Sequence, residues 1–298
     1  MNKPFYLLFI CISILSCTRT LDNYIPSDAD EHASEINGLS YTIPKHLNSQ
    51  QIHIITEIVD NMIFVKGGLF PMGQIYIELE DIATGRTFYP RSNEEPIRYV
   101  KLSDFWISKY ELSPQQVSSL LDRDLPDKLN WTYQDWEYII DLLRFYTGLS
   151  FDFPTEAQWE YSAKGGELSK GYLYPGSDNL KNVRTSSTDI HQVKEPNELG
   201  IYNMADHYSE WCKDHYQDYM ISPMLIDPLV KNGTGHVVRG ANYTSGWFRG
   251  GYQTDFEDFS FITWMDEFRT ARSSARLYHE GTSEYIGLRP VINNNLQL

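Results

Sequence analysis

Between residues 113 and 166 apolar positions recur at helical spacing, and each run opens on a hydroxyl residue with Gln or Asp three places later. Ser113-Pro114-Gln115-Gln116 predicts a helix running through Leu121. The Ser hydroxyl can accept from the Gln116 N–H, Gln116 can reach back, and Pro114 is preset for a first turn. Thr132 and Asp135 open a second helix. Trp136, Ile139, Ile140 and Leu143 share one face of it, and Gly148 stops it. Thr155 and Gln158 open a third, ended by Gly165-Gly166, with Trp159 and Tyr161 expected in the core. Upstream, "MIFVKGGLFPMG" (62–73) reads as strand, turn, strand, and "IRYVKLSDFWISKYEL" (97–112) as a second strand pair. After Gly166 helical periodicity disappears. Gly, Asn, Asp, Pro and Tyr dominate, with short β runs such as "HVVRGANY". The expected fold is α+β, loop-rich and low in regular secondary structure, and loops this long point to ligands or bound ions.

The N-terminal pattern is different. Phe5 to Leu15 is almost wholly apolar behind Lys3. The run is short for a bilayer span and fits a signal-peptide core. Ile14-Leu15-Ser16-Cys17 resembles a bacterial lipobox, so residues 1–16 are expected to be a lipoprotein signal peptide and Cys17 a lipid anchor. An ordinary signal peptide with an incidental cysteine is the other reading. Residues 17–50 are expected as an acidic flexible tether, since Thr20 to Pro44 carries acids and no Lys or Arg. A folded domain is expected over 51–298. Localisation follows as a bacterial cell envelope, lipid-anchored, at the outer membrane.

Composition narrows the partners. The 298 residues are 41% hydrophobic and 14% aromatic, as in a globular protein, and the net charge of -15 argues against nucleic acid. With Cys11 in the leader and Cys17 as anchor, Cys212 is left without a disulfide partner.

The blocks "MIFVKGGLFPMG", "FWISKYELS", "FPTEAQWEYSAKGG", "NELGIYNMADHYSEW", "VVRGANY" and "YIGLRPV" occur in that order from about residue 60. Together they resemble the formylglycine-generating enzyme, or sulfatase-modifying factor, family. The resemblance implies a variant of the C-type lectin fold. It also implies an oxidase in which two cysteines bind copper, two and seven residues past the aromatic end of an "RGGSW"-like block. Here that block is "RGANY", ending at Tyr243, and the two positions hold Ser245 and Gly250. Neither can form a thiolate, so copper is not expected.

"IYNMADHYSEWCKDHY" (201–216) looks at first like a Cys–His centre. Cys212 occupies a slot that is not a redox position in the family, and a small buried residue beside a core tryptophan accounts for it. His207 and His215 lack strict ligand spacing and read as surface or loop-bracing residues rather than bases. The resemblance offers structural calcium instead, with Asn203 and Glu210 as side-chain ligands and Asp206 and Tyr208 as carbonyl ligands. Asp206 could equally add its carboxylate. Hydrogen bonding of Asn203 and Glu210 to the loop backbone is the alternative. The segment 252–268 is rich in aromatics and acids. Tyr252, Phe256, Phe259 and Trp264 are candidate contacts for an envelope protein partner or surface ligand, or else cover a loop-rich core. Arg269, Arg272 and Arg276 are expected to offset the nearby acids, and Arg289 to be a structural ion-pair residue.

The functional expectation is a non-catalytic domain used for binding or for assembly of a protein complex. The alternative is an oxidoreductase of the formylglycine-generating or non-heme iron type.

Overall fold

The computed structural model describes residues 31–75, 77–81, 85–184, 194–242 and 271–294. Cys17, Ser245, Gly250, Tyr252, Phe256, Phe259, Trp264 and Arg269 lie outside them.

The fold starts earlier than the acidic composition suggests. Strand β1 (Glu31–Ile36) pairs antiparallel with β2 (Leu39–Pro44), and helix α1 (Ser49–Asp60) follows. The tether expected to residue 50 is therefore corrected. Leu39, Tyr41 and Ile43 alternate along β2 and are buried with Leu47 in the main apolar cluster. Averaged composition hid a two-residue period that needs only three side chains to anchor a strand. Helix α1 carries its own capping box, Asn48 with Gln51.

Strands β3 (Met62–Val65), β4 (Leu69–Met72), β7 (Arg98–Lys101) and β8 (Phe105–Ser108) lie where expected, but are paired differently. β3 pairs with β8, whereas β4 pairs with β7. Each expected strand pair is thus divided between two sheets. The crossover passes at Gly67, where a Cβ would lie 2.2 Å from the Leu102 carbonyl oxygen. Only glycine permits that approach. A short hairpin, β5 (Leu79–Asp81) with β6 (Arg86–Phe88), lies between them in sequence.

The capped helices form as predicted. They are α2 (Pro114–Leu121), α3 (Tyr133–Thr147) and α4 (Glu156–Ala163), each with its reciprocal capping pair. Gly148 adopts the left-handed conformation that ends α3. Trp136, Ile139, Ile140 and Leu143 bury one face of α3 against the cluster holding β2 and α1. Each such side chain contributes about 1.5–3 kcal/mol. Helix α4 is different: all eight of its residues are buried, Trp159 and Tyr161 among them.

Downstream come β9 (Phe151–Asp152), the one-turn α5 (Leu180–Val183), β10 (Ser209–Tyr216), β11 (Leu225–Ile226), β12 (Thr234–Arg239), β13 (Arg276–His279), β14 (Ile286–Gly287) and β15 (Val291–Asn293). The larger sheets run β13-β12-β10-β14, β11-β7-β4 and β3-β8-β15-β9. Helix α4 packs on β4, β10 and β12, at the centre of the loop-rich half.

Candidate functional site

The segment leading into β10 is positioned by amides and backbone turns. Asn197 donates to the Ser162 carbonyl at 2.7 Å and accepts from the Leu199 and Ile201 N–H groups. The chain then turns through Asn203 and His207, both at positive φ (64° and 61°). Asn tolerates that region, because its short amide can bond locally. The turn delivers Glu210 and Trp211 to the interior at the start of β10.

Glu210 is fully buried, and both of its oxygens are occupied. Arg289 Nε lies 2.9 and 3.0 Å from Oε1 and Oε2, Arg289 Nη2 2.7 Å from Oε1, and Trp159 Nε1 2.6 Å from Oε2. The guanidinium also donates to the Ser108 and Tyr202 carbonyls and lies 3.3 Å from Glu111. Burial works against the Arg289 charge. Glu210 and Glu111 outweigh it, so its pKa rises. Burial pushes Glu111 up to about 8, with Arg289 opposing and Glu210 adding to the rise. Asn203 Nδ2 donates to Glu111 at 3.4 Å. Arg289 is therefore the structural ion-pair residue that the sequence suggested.

The side chains offered as calcium ligands have other partners in the fold. A cation at Glu210 would have to displace a guanidinium that is 0% exposed and bonded to both carboxylate oxygens. Asn203 turns its side-chain Nδ2 to Glu111, and its backbone carbonyl accepts from the Asp206 N–H. Asp206 is buried with Oδ2 3.8 Å from His207 Nε2, and Tyr208 packs beside Gly287. Among the described residues, no group of three or more His, Cys, Asp or Glu side chains could hold a metal ion.

Cys212 follows Trp211 into the core and is fully buried. Burial pushes its thiol well above the ordinary range, against the pull of Arg239, and Glu156, Asp214 and Glu210 raise it further. A thiol held neutral in an apolar cluster is a poor nucleophile. His215 faces away from this chemistry: its Nδ1 lies 3.1 Å from the Gly235 carbonyl, and its ring packs 4.2 Å from His236. The stack continues from His236 through Tyr133 to Phe153.

Three further arginines occupy the same half, all buried. Arg239 pairs with Glu160 and approaches Glu156 at 3.6 Å. Arg276 grips Glu156 at 2.7 and 2.9 Å. Arg272 pairs with Glu94, one contact at 2.6 Å. Arg272 and Arg276 were expected to offset acids close in sequence. They pair instead with acids 178 and 120 residues away. Sequence reading missed Glu94, Glu111, Glu156 and Glu160 as members of this network. The one legible sign was that Glu156 and Glu160 flank Trp159 and Tyr161, both expected in the core.

What the site defines is a loop-rich α+β domain built around buried carboxylate–arginine pairs, with its thiol in the core. The sequence profile of the sulfatase-modifying factor enzyme 1-like domain matches residues 127–293, and the chain belongs to that family. It is 25% identical over 255 residues to a chaperone protein named LppX from Paenibacillus barcinonensis, across 64% of this chain and 81% of that protein. A formylglycine-generating enzyme from Thermomonospora curvata is 24% identical over 265 residues, across 63% and 84% of the two chains. Among solved structures, Treponema denticola variable protein 1 superposes with a TM-score of 0.58 at 16% identity, covering 88% of this chain and 98% of its own. PvdO from Pseudomonas aeruginosa gives 0.55 at 18% identity, covering 78% and 94%. The fold is thus the C-type lectin-like fold of the formylglycine-generating enzymes.

Proposed function

We propose that this chain is an envelope lipoprotein, anchored through Cys17 at the outer membrane, whose sulfatase-modifying factor-type domain serves binding or complex assembly rather than oxidation. The observation that carries the reading is the placement of Cys212. It is a neutral thiol sealed in the core beside Trp211, unavailable to copper or to a substrate thiol. The residue identities Ser245 and Gly250, at the positions the family resemblance assigns to the copper-binding pair, support it further. A chaperone among the similar proteins is in keeping with a role in handling other proteins. The partner surface proposed from sequence, Tyr252, Phe256, Phe259 and Trp264, remains part of this reading.

The test has two arms. The purified chain is dialysed against copper(I) or iron(II), its metal content is measured, and oxygen uptake is followed with a cysteine-containing peptide. No retained metal and no uptake are expected. Stoichiometric copper or iron with peptide oxidation would return the chain to the oxidoreductases. In parallel, cross-linking in the native membrane is expected to trap a discrete protein partner. A chain that cross-links to nothing would remove the assembly role.

A further inference from the structure

The sheet β11-β7-β4 has one covered and one open face. Phe70, Val100 and Leu225 lie in one row and pack into the core, while the neighbouring row points outward. That outer row holds Leu69, Lys101 and Ile226, and Tyr99 stands beside it across from Pro71. The loop between β10 and β11 adds Met220, Ile221 and Met224. All six apolar side chains are more than half exposed, Ile221 at 92%. Solvated single hydrophobes are ordinary, but six on one sheet face and the loop that runs into it mark an interaction surface.

We propose that this face docks on the lipid surface to which the chain is tethered, an inference that rests on the lipid-anchor reading above. Three observations select that occupant. Its most exposed residues, Met220 and Ile221, stand on the loop before β11 rather than on the sheet, which suits insertion into a soft interface more than a fitted pocket. Strand addition at the β4 edge is hindered, because Pro71 has no N–H and its carbonyl accepts from Lys164 Nζ at 2.9 Å. A second copy is opposed by the net charge of -15, as is an anionic surface, which leaves a zwitterionic lipid interface as the occupant.

The sheet face itself carries one charge, Lys101, whose ammonium can reach lipid phosphate while its methylenes lie along the apolar surface. Asp227, at the end of β11, is turned to Ser103, accepting from its N–H and hydroxyl at 2.7 Å each. Asp218 is exposed at the start of the loop. Apolar area therefore drives the contact, and its salt dependence is expected to be small. Fourteen residue steps separate Cys17 from Glu31. They reach at most about 50 Å when extended. A tether that short keeps the patch at high effective concentration beside the bilayer.

The test uses the full lipidated chain in phosphatidylcholine vesicles containing a nitroxide lipid labelled near the headgroup. A fluorophore is placed at Ile221→Cys or, as control, at the exposed Tyr138→Cys on α3; buried Cys212 does not label in the native state. The 221 probe is expected to be quenched roughly fivefold more strongly than the 138 probe. Raising salt from low to high is expected to change this little. Equal quenching at the two positions overturns the inference. So does self-quenching of the 221 probe without lipid, which assigns the face to a second copy. Intact mass separates the two readings. A chain lacking a diacylglyceryl group ends the anchor proposal. Docking is then decided by titrating vesicles into that chain: saturable quenching confined to 221 retains it, and equal or absent quenching overturns it.

Discussion

Two halves of this molecule are held together by opposite chemistry. Around α1, α2 and α3 the interior is apolar and each helix starts at a reciprocal cap. Around α4 and β12 the described residues include four buried arginines that are each matched to a carboxylate, Arg239, Arg272, Arg276 and Arg289. The first half is held by water expelled from many small contacts, which degrade gradually. The second is held by a few pairs that work only when complete, because removing one member strands a charge where no water reaches it. The loop-rich half has little regular backbone to fix its path, and the pairs supply that registration by tying β12 and β13 to α4, the segment before β13 to the turn at Glu94, and the segment before β15 to β10.

Breaking a pair should therefore have the largest effect. Arg289→Met is expected to destabilise the domain by about 3–5 kcal/mol, read by urea unfolding, because Glu210 and Glu111 are left facing each other in the core. A loss below about 1 kcal/mol would mean that water or another cation enters the site. Leu143→Ala, the matching cut in the apolar half, is expected to cost about 3 kcal/mol through its cavity. Thr132→Ala should cost about 1 kcal/mol by removing the cap that accepts from the Asp135 N–H.

The two halves were not equally legible in the sequence. Apolar spacing and caps are local, so α2, α3 and α4 could be read from windows of ten to fifteen residues. The pairing of β3 with β8 and of β4 with β7 is non-local, and its one local sign is the glycine at 67. The arginine pairs are more distant still: Arg289 meets Glu210 across 79 residues and Arg272 meets Glu94 across 178. No window contains both partners, so Glu210 read more readily as a calcium ligand than as the anchor of an arginine. The hairpin from Glu31 was lost for the opposite reason: its signal was local, but only three side chains long.

Acidity sharpens the comparison more gently. His236, between Tyr133 and His215 and in register with His279, has its pKa lowered to about 4 by burial and by His215. A histidine held neutral in the fold and protonated when unfolded contributes stability above its ordinary value near 6.5. That contribution is lost as pH falls toward 4. The thermal midpoint should drop over this window, and His236→Phe should flatten the drop. Glu111 acts with the opposite sign. Its raised pKa means that the fold holds a proton the unfolded chain releases, so its contribution fades as pH rises from 4.5 to about 8. Glu111→Gln should flatten that alkaline limb. The smallest effect is expected from calcium: with Glu210 held by Arg289, neither calcium nor a chelator should move the midpoint. A clear rise with calcium that Glu210→Ala abolishes would establish the metal site.

The reading of the molecule as a scaffold depends most directly on the state of Cys212. Its alkylation can be followed by mass mapping of the peptide spanning 201–216, in native buffer and across a urea series. The predicted result is no labelling of the native chain, with modification appearing only along the global unfolding curve. Labelling of Cys212 within seconds in native buffer, at a rate that rises through neutral pH, would reveal an accessible thiolate and contradict the account.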